Sequence, residues 1–280
     1  MDTISTPSKP IVVGYDGSDG SQRAVRWAAR HASATGLSLI VVHCWVWPFF
    51  TNDLGPVEGV KDSGLQNEAE RIASEGLELA VHTVPDVDVS QRLVVGFPAD
   101  VLSRLSAEAS LLVTGTRGLG GFAGLLVGSV SLHLAASASC PIMVVREDQP
   151  VHDKILVAVD GSPESDRAVL KAVDLARTLH CSLHVLHVLP ILRHMIVDLA
   201  DGERDPIIEQ SLNLLPPDTD LVVVEDTVSA LSIPEAIIER AGTASCVVLG
   251  AKGRNTLGAR LGSTVHAVLH HARGNVIIVR

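Results

Sequence analysis

Two stretches of this sequence hold residues whose types and spacing suit ligand chemistry. The first is Asp16-Gly17-Ser18, which follows the apolar run from Pro10 to Tyr15. The second runs Gly115-Thr-Arg-Gly-Leu-Gly-Gly-Phe-Ala-Gly124 after the apolar Leu111–Thr114, and nine residues separate Gly118 from Gly128-Ser129. Glycines such as Gly115, Gly118 and Gly121 let backbone N–H groups approach an anion with no Cβ in the way. The Ser129 region opens a helix, where unpaired amides and the dipole favour negative charge. Arg117 adds a cation in the same loop. Together these describe a phosphate cradle. Asp16 is a poor phosphate contact but a good acceptor for a base amino group or a ribose hydroxyl, and it could hold a metal ion among phosphates. The pattern matches neither GxxxxGK[ST] nor a GxGxxG after the first strand. A flexible turn with close helix–sheet packing explains a glycine cluster equally well when the loop is taken alone.

The same chemistry is written twice. Ile11–Val25 lies over Ile155–Val169 without a gap, at an offset of 155 − 11 = 144, and matches at Asp16/Asp160, Gly17/Gly161, Ser18/Ser162, Ser21/Ser165 and Arg23/Arg167. The register continues to His43/His187. Gly115-Thr-Arg-Gly lies over Gly250-Ala-Lys-Gly at 250 − 115 = 135, and Gly128-Ser129 over Gly262-Ser263 at 262 − 128 = 134. Internal repetition of this kind defines the architecture. The polar segment 147–153 reads as a linker, so residues 1–148 and 149–280 form two domains, which suits the chain length.

The elements that must position these loops follow from periodicity. Continuous apolar runs at Pro10–Tyr15, Leu37–Trp45, Leu111–Thr114 and Ile142–Val145 read as strands buried on both faces, and Val89–Val95 reads as a further strand. Helical stripes lie between them at Ser21–Ala34, Asn67–Val81, Ala99–Ala109 and Ser129–Ala138. The second copy repeats this with strands at Lys154–Val159, Ser182–Leu189, Asp220–Val224, Cys246–Leu249 and Val276–Val279, and helices at Glu164–Leu179, Glu235–Ala241 and Ser263–His271. The fold class is α/β: two tandem open sheets, parallel, with helices on both faces. In such sheets ligands bind beyond the carboxyl ends of the strands, where both loops lie. The short apolar last strands, Ile142–Val145 and Val276–Val279, need a partner and are expected to pair with each other about a pseudo-twofold axis.

Composition narrows the classes. The net charge of −10 argues against a nucleic-acid or anionic-membrane partner. Apolar residues make up 46% and charged ones 19%, which excludes a disordered chain. Cys44, Cys140, Cys181 and Cys246 form no CxxC pair and read as buried small hydrophobes. The first ten residues lack the apolar core of a signal peptide, and the glycines, serines and proline between Arg117 and Arg146 are unlike a lipid-spanning helix, so a cytoplasmic location is expected.

The pattern G-x2-G-x9-G-[S/T] at Gly115, Gly118, Gly128 and Ser129 resembles the ATP-binding signature of the universal stress protein family. VGYDGS at strand one, VVHCW at strand two, VVGFPADVL and CPIMVVRE agree with it, and the resemblance covers both halves. It implies a five-stranded sheet of order 3-2-1-4-5 in each half, adenine-nucleotide binding with ATP and Mg2+ or Mn2+ as cofactors, and a regulatory or sensing role in stress without established turnover. By resemblance, Asp16 meets the adenosine moiety, the Cys44 backbone contacts adenine, and Gly14 permits close approach beside the base. Gly17, Gly115, Thr116, Arg117, Gly118, Gly121, Gly128, Ser129 and Val130 surround ribose and phosphates. In the second copy Asp160, Gly250, Lys252, Gly253, Gly262, Ser263 and Thr264 remain, with Val188 at the adenine-contacting position. That copy departs from the pattern: Ala158 stands for Gly14, Ser232 for Gly96, and only eight residues separate Gly253 from Gly262. One missing residue is expected to displace amides by about 3.5 Å.

His43 and His187 read as satisfied core or rim histidines. His266 and His270 have i, i+4 spacing without a third ligand, so no metal site is assigned. Trp45, Trp47, Phe49 and Phe50 read as packing under the segment 48–64, or as a lid or partner surface. No Ser-His-Asp set is supported, so no catalytic residue is assigned and ATP hydrolysis is expected to be slow at most. The function expected is a nucleotide-binding regulator that pairs into a homodimer and signals through an unidentified protein partner. The alternatives are a slow ATPase or nucleotide-handling hydrolase, and a non-binding dimeric scaffold.

Overall fold

The computed structural model describes residues 8–45, 64–118, 127–191, 204–217, 219–254 and 261–280. The first half runs β1 Ile11–Gly14, α1 Asp19–Thr35, β2 Leu39–Trp45, α2 Gly64–Thr83, β3 Val89–Val95, α3 Pro98–Leu105, β4 Leu111–Gly115, α4 Ser129–Ser137 and β5 Ile142–Val145. The second runs β6 Lys154–Val159, α5 Pro163–Leu179, β7 Ser182–Pro190, α6 Pro206–Leu212, β8 Val223–Ala230, α7 Ile233–Ala241, β9 Cys246–Gly250, α8 Ser263–His271 and β10 Asn275–Val279.

The ten strands of the described residues lie in one sheet, in the order β3-β2-β1-β4-β5-β10-β9-β6-β7-β8. Each half therefore has the expected 3-2-1-4-5 order. Neighbours within a half are parallel, and the two halves join where β10 runs antiparallel to β5, Ile277 opposite Met143. The expected pairing of the last strands is found. Side chains alternate across this sheet and build two apolar layers. Ile11, Val13, Met143 and Ile277 face α1, α2, α5 and α6, while Val12, Ile142, Val144 and Ile278 face α3, α4, α7 and α8. Full burial of each Val, Leu or Ile contributes about 1.5–3 kcal/mol, so the central strands anchor the loops at their carboxyl ends firmly.

Asn275 closes the junction. Buried in the interior, its Oδ1 accepts from the amides of Arg146 and Glu147 at 2.7 and 3.0 Å, and its Nδ2 donates to the Glu147 carbonyl. On the face carrying α1 and α5, His31 stacks on Trp27 at 4.7 Å, and its Nδ1 is buried without a hydrogen-bond partner. Burial, with Lys171 of α5 adding to it, lowers the His31 pKa to about 4.

Two elements differ from expectation. β8 occupies Val223–Ala230 rather than Asp220–Val224, and α6 lies within a stretch for which no element was anticipated. β8 is an edge strand whose residues alternate between exposed and half-buried positions, so a template of burial on both faces does not fit it. Cys140, Cys181 and Cys246 are buried and Cys44 half-buried, all as free thiols. Among the described residues no helix is long and apolar enough to cross a membrane.

Candidate functional site

The loop after the first strand of each half is shaped by a carboxylate and a glycine. Gly17 and Gly161 take φ values of +83° and +70°, a left-handed turn that suits glycine. The preceding aspartates fold back over this turn. Asp16 Oδ1 accepts from the Ser18 amide and hydroxyl at 3.1 and 2.6 Å, and Asp160 Oδ1 accepts from the Ser162 amide at 3.0 Å. Ser18 and Ser162 in turn cap α1 and α5, accepting from the amides of Ser21 and Ser165.

This turn is clasped to the loop after the fourth strand, in the same way twice. The Ser18 hydroxyl, whose single proton goes chiefly to Asp16 Oδ1, also reaches the Arg117 carbonyl at 3.3 Å, and the Ser162 hydroxyl donates to the Lys252 carbonyl at 3.4 Å. Gly118 and Gly253 lie directly against the aspartates: an added Cβ would stand 2.3 Å from Asp16 Oδ2 and 2.5 Å from Asp160 Oδ2. Asp160 Oδ2 also accepts from the Arg254 amide at 3.0 Å. Gly115 and Gly250 meet the first turn of α1 and α5, where a Cβ would lie 2.4 Å from the Gly20 carbonyl carbon and 2.8 Å from that of Glu164. The glycines expected to cradle phosphate thus also make the close packing on which the loops rest. The aspartates expected to meet adenosine are part of the clasp.

The second anchor is the helix start. The Gly128 amide donates to the Thr116 carbonyl at 2.6 Å, and the Gly262 amide to the equivalent Ala251 carbonyl at 3.0 Å. The helix start is therefore pinned alike in both copies despite the missing residue; the loop amides at 255–260, for which a displacement is expected, lie outside the described residues. Neither α4 nor α8 has a side-chain N-cap bond, unlike α1, α5, α6 and α7. The first-turn amides of Ser129 and Val130, and of Ser263 and Thr264, stand without that competitor for an anion.

In the second half these groups surround a cavity of about 530 Å3. All nine second-copy residues singled out from the sequence line it: Ala158, Asp160, Val188, Gly250, Lys252, Gly253, Gly262, Ser263 and Thr264. The volume suits a drug- or cofactor-sized ligand. Among the other lining residues, Asp205 and Arg254 were not singled out from the sequence, and His187 was read only as a satisfied core or rim histidine. His187 Nδ1 lies 2.6 Å from Asp205 Oδ2, and Asp205 Oδ1 caps α6 by accepting from the Ile207 and Ile208 amides. Burial pushes the Asp205 pKa up, but the His187 hydrogen bond and the two amides outweigh it and hold the carboxyl below its usual range. The signal available was Asp205-Pro206, a cap before a proline at the first helical position.

In the first half, Gly14 packs against Leu102, with an added Cβ 3.0 Å from Leu102 Cδ1. Ala158 carries that methyl group in the second half. Ser232, which stands for Gly96, is an ordinary N-cap with φ −127°, whereas Gly96 has φ +141°. Burial pushes the Cys44 thiol up to about 11, so it is protonated at neutral pH. Thr116 is buried, and Arg117 is exposed at the loop surface. Gly121, Trp47, Phe49 and Phe50 lie outside the described residues. Among the described residues no group of three His, Cys, Asp or Glu gathers to hold a metal ion. Mg2+ or Mn2+ at these loops would have the aspartates and the Ser129 or Ser263 hydroxyls as protein donors, with phosphate oxygens completing the set.

The sequence model of the universal stress protein family matches residues 7–146 and again 152–280. A universal stress protein of Mycobacterium tuberculosis strain H37Rv is 30% identical over 303 aligned positions, covering 99% of each chain. One from Mycolicibacterium smegmatis is 38% identical over 138 residues, covering 49% of this chain and 45% of its own. The crystal structure of a universal stress protein from Archaeoglobus fulgidus superposes with a TM-score of 0.71 at 20% identity, covering 98% of this chain and 99% of that one, a likeness of fold. The chain belongs to the universal stress protein family and carries its domain twice.

Proposed function

We propose that this protein binds an adenine nucleotide, ATP with a divalent ion, at the carboxyl ends of the strands in each half, and acts as a regulator in stress rather than as a turnover enzyme. One observation carries the reading. The 530 Å3 cavity gathers Asp160, the glycines of the strand-four loop, Lys252, Arg254 and an uncapped helix start. Lys252 and Arg254 offset phosphate charge, and the α8 amides offer donors aimed along the helix axis. The apolar walls, Val188, Ile233, Ile237 and Leu249, suit the faces of a purine ring. The repeated clasp and the equivalent helix anchor extend the reading to the first half. Regulation, in this proposal, passes to a protein partner when the nucleotide holds the two loops together, in a homodimer of two such chains.

The test is the nucleotide content of the purified protein. Heat denaturation should release nearly two ATP per chain, falling to about one in Gly118→Glu and in Gly253→Glu, each of which forces a bulky anion against an aspartate. Absence of nucleotide in the purified protein, with no calorimetric signal on adding ATP and Mg2+, overturns the proposal. Steady ATP turnover lost in Asp16→Ala would favour a slow hydrolase instead.

A further inference from the structure

The cavity of the second half has a feature that nucleotide cradling does not use. His187 sits on β7 with Val159 and Thr227 as its cross-strand neighbours. Its Nδ1 meets the Asp205 carboxylate at 2.6 Å, and Thr227 Oγ1 reaches the same Oδ2 at 3.4 Å. An ionised carboxylate only accepts, so Nδ1 carries the proton. In the neutral ring Nε2 is then left with a lone pair. Among the described residues that nitrogen has no hydrogen-bond partner, and it belongs to a side chain that lines the cavity.

The first half makes the same choice with different means. His43, at the equivalent position, has its Nδ1 2.8 Å from the Tyr15 carbonyl oxygen, which also only accepts. Two unrelated acceptors, a main-chain carbonyl and a buried carboxylate, thus impose one tautomer. Packing alone would require only that Nδ1 be satisfied. The carboxylate does more: it is itself fixed by the Ile207 and Ile208 amides, so the ring is oriented through α6.

We propose that His187, oriented by Asp205, is a specificity-determining residue of the second-half site, whose Nε2 accepts a hydrogen bond from a donor on the bound nucleotide. The donor is an N–H of the base's exocyclic amino group or a sugar hydroxyl. Ligands that offer a donor there are favoured, and a ligand with a carbonyl in its place is rejected, because two acceptors would face each other. The inference rests on the nucleotide reading above, and its test separates the two.

The experiment uses the full chain carrying Gly118→Glu, which silences the first-half loop, titrated calorimetrically at pH 8 with ATP, dATP and ITP. A preference for ATP over ITP identifies the base amino group as the donor; a preference for ATP over dATP identifies the 2′-hydroxyl. His187→Phe, which keeps a ring and removes both nitrogens, should abolish that one preference, about three- to tenfold, while the other ligand ratio is unchanged. Asp205→Asn keeps the shape and no longer dictates the tautomer, so it should narrow the same preference. Equal weakening of all three ligands in both variants, or no change in either, overturns the proposal. Absence of heat with all three ligands in the parental Gly118→Glu chain overturns the nucleotide reading of this half, and the inference with it.

Discussion

In the first half His43 leans on the carbonyl of Tyr15; in the second His187 leans on Asp205, a residue that also starts a helix. Around these histidines the two halves keep one frame: a glycine at positive φ after the aspartate, a capping serine bonded to the opposite loop, and a glycine amide pinned to the exit of the fourth strand. The frame is made of backbone bonds and of glycines that admit no Cβ. The lining keeps Asp16/Asp160, His43/His187 and Ser129/Ser263 alike and differs elsewhere, with Ala158 for Gly14, Val188 for Cys44 and Lys252 for Arg117.

The largest test of the shared frame is Gly115→Val beside Gly250→Val. Each side chain would be driven into helix backbone, so both variants should lose about 3 kcal/mol or more, with melting temperatures lowered together by calorimetry. A loss confined to one half would break the equivalence. Next comes Asn275, whose counterpart in the first half is Pro141. Asn275→Leu would orphan two amides and a carbonyl at the junction and should cost about 2–3 kcal/mol in urea unfolding, a penalty with no first-half equivalent.

A third test concerns His31, whose counterpart at the 144 offset is Leu175. The unfolded histidine takes up a proton near pH 6.5, while the folded one resists until about 4. The unfolded state therefore binds more protons between these values, and stability falls as pH drops through that window. His31→Leu should remove this slope, leaving the variant more stable than the parent by about 2 kcal/mol at pH 5 and by less at pH 8. An unchanged slope would place the acid sensitivity elsewhere. The smallest effect is at the helix ends: α1 closes on Gly36 with φ +66°, α5 on His180 with φ +54°. His180→Gly should gain about 1 kcal/mol and Gly36→His lose a similar amount.

Much of this was legible beforehand, for identifiable reasons. β1, β2, β6 and β7 are continuous apolar runs, and repetition of Asp-Gly-Ser and of Gly-Ser at nearly constant offsets located both loops. Pairing of β5 with β10 followed from two short apolar strands lacking neighbours. β8 was misplaced because Leu221–Val224 looks like a buried strand, while the real strand begins at Val223 and carries Glu225 and Asp226 on an open edge. The His187–Asp205 pair was missed because the two lie 18 residues apart, and their meeting depends on where α6 docks. The helix start after the shortened second loop is pinned as in the first half, which spacing, counting residues alone, does not show.

The antiparallel seam between β5 and β10 has a consequence for how such a protein can change. A single-domain relative that used this edge to pair with itself would carry two identical sites, and any substitution would appear in both. Here the seam lies within one polypeptide, so each site can be altered alone while their ratio stays fixed at one to one. The seam also occupies the last strand of both halves. The only sheet edges left open among the described strands are the outer strands β3 and β8, so association through a sheet edge would not disturb the seam.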